Sequence, residues 1–155
     1  MYTLTEKDRE ILEEVKRVIA ASSTSSCIYV GCDSKRVRKS TQVKYATVII
    51  LHHDGKHGGR MWSFMDTEQA YGPASNPRMR LVNEAFRAVM LAQEVMDEIG
   101  DRHFELHLDL NPNPMHKSNA AVKESLGFVL GTLGIEAKLK PEAWASSTAA
   151  DKLTQ

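Results

Sequence analysis

Two aspartates stand where strand-like segments give way to loops. Asp33 closes the run Cys27-Ile28-Tyr29-Val30-Gly31-Cys32-Asp33, and Asp109 lies near the end of His107-Leu108-Asp109-Leu110-Asn111. In an open α/β sheet, sites form beyond the carboxyl ends of parallel strands, so acids at two such ends converge there. Gly31 leaves room beside Asp33. Glu84, a turn and a half into a long helix, and Asp151, in the last short helix, are two further acids that only tertiary folding can bring to the same place. Clustered carboxylates repel one another and resist burial unless a cation neutralises them, and sets of oxygen donors suit Mg²⁺ or Mn²⁺. Two such ions about 3.5–4 Å apart activate a water and stabilise the leaving oxygen in phosphodiester hydrolysis. The pattern therefore points to metal-assisted phosphoryl chemistry.

Other side chains join or flank this set. His107 precedes Asp109 by two residues on the same strand face, which suits it to orient a ligand carboxylate or water, or to move a proton near neutral pH; a satisfied structural histidine is the alternative. Lys35, Arg36, Arg38 and Lys39, with Lys44 close behind, follow directly on Asp33, so they form either a solvated turn or a grip on phosphates. Lys138, Lys140 and Lys152 extend that basic surface. His52, His53 and His57 flank a glycine-rich turn without the Cys or acid pattern of a zinc site, and read as an exposed hairpin. Trp62, Trp144, Met79, Met90 and Met96 read as core or partner-facing residues.

The elements that must position these residues follow from pattern. Thr3-Leu4-Thr5-Glu6 has capping-box form, and Ile11, Leu12, Val15, Val18 and Ile19 recur at helical spacing, which predicts a helix over about 5–20. Cys27–Asp33, Val43–His53 and Arg60–Asp66 are rich in β-branched and aromatic residues and predict three antiparallel strands. The second pair is joined by the turn Asp54-Gly55-Lys56-His57-Gly58-Gly59. Asn76-Pro77 starts a long helix that Gly100 stops, and residues 103–110 alternate as a strand. A helix over about 117–133, a short strand Ile135–Lys140 and a final helix of about two turns carrying Asp151 complete the order βββ-α-β-α-β-α. Helical crossovers make the later strands parallel to the first.

Composition fits one domain. The chain has 155 residues, 42% hydrophobic and 26% charged, which is ordinary for a globular protein. With 20 basic and 20 acidic residues the net charge is zero, so nucleic-acid binding must come from local clustering. Cys27 and Cys32 lie five apart on one strand and face opposite ways, so they read as small buried hydrophobes in a reducing cytoplasm. Met1–Glu10 shows no apolar signal core and no stretch approaches membrane-span length, so neither secretion nor membrane insertion is expected.

This order of strands and placement of acids resembles the ribonuclease H-like superfamily, which includes nucleases, resolvases and integrases. The stretches Ile28–Ser34, His107–Asn111 and Ala137–Ser147 are most similar to the YkuK-like group of bacterial and phage proteins. The resemblance covers roughly residues 27–155. It implies an α/β domain with a mixed five-stranded sheet, three antiparallel strands followed by two parallel ones, and an extra N-terminal helix over 1–22. It also implies a Mg²⁺- or Mn²⁺-dependent nuclease that cleaves RNA, an RNA–DNA hybrid or branched DNA by a two-metal mechanism. By position, Asp33, Glu84, Asp109 and Asp151 match the family's metal-binding acids, although Glu94 and Glu98 share a helix with Glu84. The chain has no equivalent of the Trp-bearing basic protrusion of ribonuclease HI, and Asp151 has no acidic neighbour within a turn. The rival expectation is a module with this fold that binds nucleic acid or protein without turnover, and a phosphatase-like or nucleotide hydrolase on the same metal cluster stays open.

Overall fold

The computed structural model describes residues 2–55, 58–69, 77–109, 119–139 and 142–154. The elements are α1 (Glu6–Ala21), β1 (Cys27–Arg36), β2 (Gln42–His52), β3 (Gly59–Gln69), α2 (Pro77–Ile99), β4 (His103–Leu108) and α3 (Asn119–Leu133). A π-helical stretch, Ala145–Ala150, then runs into α4 (Asp151–Thr154). The capping box closes on Thr5, whose hydroxyl accepts from the Asp8 N–H while the Asp8 carboxylate accepts from the Thr5 N–H. It begins two residues later than Thr3-Leu4-Thr5-Glu6 suggests.

The sheet is mixed, in the order β3-β2-β1-β4, with β1 antiparallel to β2 and parallel to β4. Period-two alternation gives each strand two faces. Ile28, Val30 and Cys32 of β1, with Tyr45, Ile49, Trp62, Phe64, Leu106 and Leu108, face α1, α2 and α3 and form the main core. Tyr29, Gly31 and Asp33 point the other way, where Val48 and Ile50 pack against Ala145 and Ala150 of the C-terminal segment. Cys32 is fully buried and Cys27 half-buried, both free thiols.

One expectation is corrected. The sheet has four strands, not five: Ile135–Lys140 contributes a single parallel bridge, His107 to Lys138, with the Leu108 N–H donating to the Lys138 carbonyl and the Lys138 N–H to the Leu106 carbonyl. Ile135, Ala137 and Leu139 do lie against the core, so the alternation is real. Two hydrogen bonds on β4 are all the pairing it makes among the described residues. Lys140, at the end of that stretch, lies outside the described residues, as does His57 in the β2–β3 turn.

The layers are tied by Arg87, an almost fully buried cation on α2. It donates to Asp66 at 2.7 and 3.0 Å and to Glu68 at 2.6 Å, and its guanidinium lies 3.6 Å from the Tyr45 ring centre and 4.8 Å from that of Tyr2. Burial alone lowers its pKa, but the two carboxylates outweigh this and raise it. A buried charge of this kind is costly when orphaned. Arg87→Leu is expected to destabilise the fold by about 3 kcal/mol, the low end for a broken buried pair because Asp66 and Glu68 retain partial solvent access. Urea titration of the variant against the parent measures it, and a loss under about 1 kcal/mol would assign the network to specificity instead of stability.

Candidate metal centre

Register delivers the acids. Leu108, the last residue of β4, pairs with Cys32, so Asp109 follows in step beside Asp33; β4 ends there, whereas β1 does not close at Asp33 as its sequence suggests but stays paired with β2 to Arg36. Both belong to the face that carries Gly31 and His107. Asp33 is buried, and its Oδ2 accepts from the Thr154 hydroxyl at 3.2 Å. It also shares a hydrogen bond with Asp151. Glu84 arrives from the opposite side: α2 packs on the core face, and its buried carboxylate accepts from the Ser34 hydroxyl at 2.5 Å. The sheet end is thus closed by α2 on one side and α4 on the other. All four sequence-predicted acids interact there. Glu94 lies instead near Lys16, at 3.9 Å, which leaves Glu84 as the α2 acid of this site.

The electrostatics record the crowding. Burial, the hydrogen bond with Asp151 and the charge of Asp109 push Asp33 up to about 7, against an opposing backbone hydrogen bond at Ser34. Glu84 is raised well above the usual carboxylate range, first by burial and then by Asp33 and Asp109; Ser34 and Arg80 offset this only in part. An all-oxygen donor set whose buried members resist ionisation is chemically suited to a hard divalent cation. Among the described residues, no three His, Cys, Asp or Glu side chains stand in a geometry that would hold an ion. The donor chemistry fits such a cation, while its ligand geometry is not preformed.

His107 is placed differently from a residue that touches substrate. Its ring is completely buried. Nδ1 accepts from the Ala145 N–H at 3.0 Å, so the proton sits on Nε2, which donates to Glu105 Oε1 at 2.8 Å. Burial lowers the pKa of His107, with Glu105 opposing. Burial also raises that of Glu105, but the hydrogen bonds from His107 and His103 outweigh this and hold it below the usual range. The arrangement anchors the start of the C-terminal segment to β4 and thereby places Asp151. Trp144 adds to the anchor, packing on Tyr29, His52 and His107 at ring-centre distances of 4.8, 5.4 and 5.3 Å.

Gly31 is the floor of that contact. A Cβ there would lie 2.7 Å from both the Ala145 carbonyl carbon and the Ser146 nitrogen, main-chain atoms that cannot swing aside. Sequence reading had no signal for Ser34, Thr154, Arg80 or Glu105, because each acts through a residue distant in the chain or through a hydroxyl with many possible roles.

The basic residues lie at the distal end of the β1–β2 hairpin, Lys35 and Arg36 as the last residues of β1 and Arg38 and Lys39 in the turn. Lys35, Arg36, Arg38 and Lys39 are exposed and, with Ser40 and Thr41, line an open cleft of about 890 Å³. Lys39 takes a left-handed conformation, φ 58°, that turns the chain. β1 carries this tip directly away from Asp33.

Comparison with known proteins shows the family. The family model described as "Ribonuclease H-like" matches residues 10–155. The chain is also similar to "Uncharacterized protein YkuK" of Bacillus subtilis (strain 168), with 25% identity over 173 aligned positions that cover 99% of this chain and 96% of the relative. No solved structure matches.

Two outcomes are expected from this geometry. Gly31→Ala should cost about 1–3 kcal/mol, the range for overpacking against main chain that cannot yield, and chemical denaturation checks it. In metal-free buffer, native Asp33 holds a proton up to pH about 7 that the unfolded chain releases near 4, so stability should fall as pH rises through that window. The melting-temperature difference between wild type and Asp33→Asn, followed from pH 5 to pH 8, isolates the effect; a difference independent of pH would contradict it.

Proposed function

Because the chain belongs to the ribonuclease H-like family, we propose that its carboxylate cluster serves a Mg²⁺- or Mn²⁺-dependent nuclease acting on a structured or hybrid nucleic acid. The observation that carries the reading is the meeting of four acids from β1, β4, α2 and α4 at one sheet end, with Asp33 and Glu84 buried there against their ordinary preference to ionise. Asp33 and Asp109 would be the principal ligands of the ions, and Glu84 and Asp151 would contribute further carboxylate oxygens. When bound, the ions supply Lewis-acid activation of water and stabilise the leaving oxygen of a phosphodiester. The chain's own residues do the rest. Ser34 and Thr154 orient the carboxylates through their hydroxyls. Glu105 and His107 hold the segment that bears Asp151. Lys35, Arg36, Arg38 and Lys39 offer cations to backbone phosphates.

A second reading has an observation of its own. The lack of ion-holding geometry among the described residues favours a non-catalytic module that keeps the fold and binds nucleic acid or a protein through the basic hairpin. Among the described residues no helix is long and apolar enough to cross a membrane.

Three measurements separate the readings. Millimolar Mn²⁺ should raise the melting temperature, because it binds only the native cluster, and Asp33→Asn should lose most of that shift while still folding. Asp109→Asn should abolish metal-dependent cleavage yet keep affinity within a few fold, assayed on single-stranded RNA, an RNA–DNA hybrid, duplex DNA and a four-way junction. If wild type binds one of these substrates and cuts none, the module reading replaces the nuclease. Replacing Arg36, Arg38 and Lys39 with Gln should flatten the dependence of affinity on salt, and an unchanged slope would remove the hairpin from the interface.

A further inference from the structure

Among the described residues β3 is an outer strand of the sheet, with Tyr2 and Thr3 beside its Asp66–Glu68 end, and its outer edge is unusual in what it lacks. It runs 11 residues from Gly59 to Gln69 in unbroken register with β2, and its sequence contains neither proline nor lysine. Natural sheets blunt such an edge with those residues, with a bulge or with inward charges, because a long flat edge recruits another strand. The inward charges of β3 are already engaged by its own chain: Asp66 and Glu68 by Arg87, and Arg60 by Glu14 at 2.9 Å. Among the described residues no backbone hydrogen bond is made to this outer edge. Its other face carries Met61 and Met65, 50% and 41% exposed, because the C-terminal segment packs mainly over β1, β2 and β4.

We infer that β3 is a homodimer interface, pairing antiparallel with β3 of a second copy about a two-fold axis at Phe64. The register argues for this occupant. Full overlap of Gly59–Gln69 with itself puts Gly59 opposite Gln69, and the same alignment puts Arg60 opposite Glu68 of the second copy, on the core-facing side. Arg60 has five N–H donors and is half-exposed, so it can reach that carboxylate while keeping Glu14. On the outer face Ser63 stands opposite Met65 of the second copy and Met61 opposite Thr67, which gathers the four exposed methionines of the pair into one patch. Maximal overlap and charge complementarity thus select the same alignment.

The axis stands perpendicular to the sheet, so both copies present their Asp33 ends on one face of a continuous eight-stranded sheet. Asp33 pairs with Ala46, and Ala46 with Met65, so the row runs straight from the site to the interface. Five strand spacings of about 4.8 Å set the two sites roughly 24 Å apart across it. The inference is independent of whether either site turns over a substrate.

Stable interfaces bury roughly 1,200–2,000 Å², and pairing one strand from each copy lies at the low end, so a weak dimer is expected. Sedimentation of the full chain at about 100 µM should give twice the monomer mass, where low-area interfaces still associate. Met65→Lys, and separately Met61→Lys, should each give a monomer with an unchanged melting temperature, since both side chains lie outside the core. Register is read by mixing Ser63→Cys protein with Met65→Cys protein under mild oxidation, followed by peptide mapping to set aside Cys27. A 63-to-65 disulfide is expected, with neither variant cross-linking to itself at the new position. A monomeric wild type overturns the inference, as does a dimer that both lysine variants retain. Cross-linking of Ser63→Cys to itself overturns the register.

Discussion

Main chain packed against main chain at Gly31 is the constraint on which the rest of the site depends. Any other side chain at this position would meet the carbonyl carbon of Ala145 and the nitrogen of Ser146, so the C-terminal segment could not lie flat on β1. That close approach brings the Ala145 N–H to Nδ1 of His107, a bond that a deflected segment would lose. The same descent sets the π-helical turn that ends at Asp151. π-Helical turns are uncommon and concentrate at functional sites. Here the wider turn delivers Asp151 to Asp33 and Thr154 to the same carboxylate, so one missing carbon at residue 31 determines whether the fourth acid reaches the other three.

Two groups of acids in this domain have opposite fates. Asp66 and Glu68 are met by Arg87, which is held in turn by two tyrosine rings, and Glu68 is kept below the usual carboxylate range despite its burial. Asp33 and Glu84 are pushed the other way, although Arg80 acts on Glu84. Folding could have placed a cation against both groups. Among the described residues, the group on β3 is held by direct hydrogen bonds from Arg87, which reads as structure, whereas Arg80 offsets the charge at Glu84 only in part. The cluster at the ends of β1 and β4 keeps its electrostatic cost, and sites that retain such a cost are where a charged ligand gains most on binding.

Much of this was legible in the sequence because it is local. Alternation along Cys27–Asp33 and 103–110 fixed which residues share a face, and that was enough to put Asp33, His107 and Asp109 on one side of the sheet. Period and capping located α2, and with it Glu84. What was not legible depends on partners far along the chain. His107 and Ala145 lie 38 residues apart, so nothing near His107 announced that both of its nitrogens were committed. Nothing beside Arg87 in the sequence announces its role, since its carboxylates sit on β3. Ile135–Lys140 has the alternation of a strand, but alternation reports one buried face and not a ladder of hydrogen bonds, and only Lys138 found partners on β4.

Gly31 shows the limit most directly. Its sequence neighbourhood suggested room beside Asp33 for something to enter. The space is indeed used, but by the protein's own C-terminal segment. This changes what the site is: not a strand end open on one side, but a seam between the sheet and a segment laid across it. Glu105 belongs to the seam as well. By accepting from Nε2 of His107 it leaves Nδ1 free of a proton, and only an unprotonated Nδ1 can accept the Ala145 N–H. A carboxylate two residues from the ring and a glycine on the adjacent strand therefore act on the same object, the position of Asp151, one through the tautomer of a buried histidine and the other through the absence of a side chain.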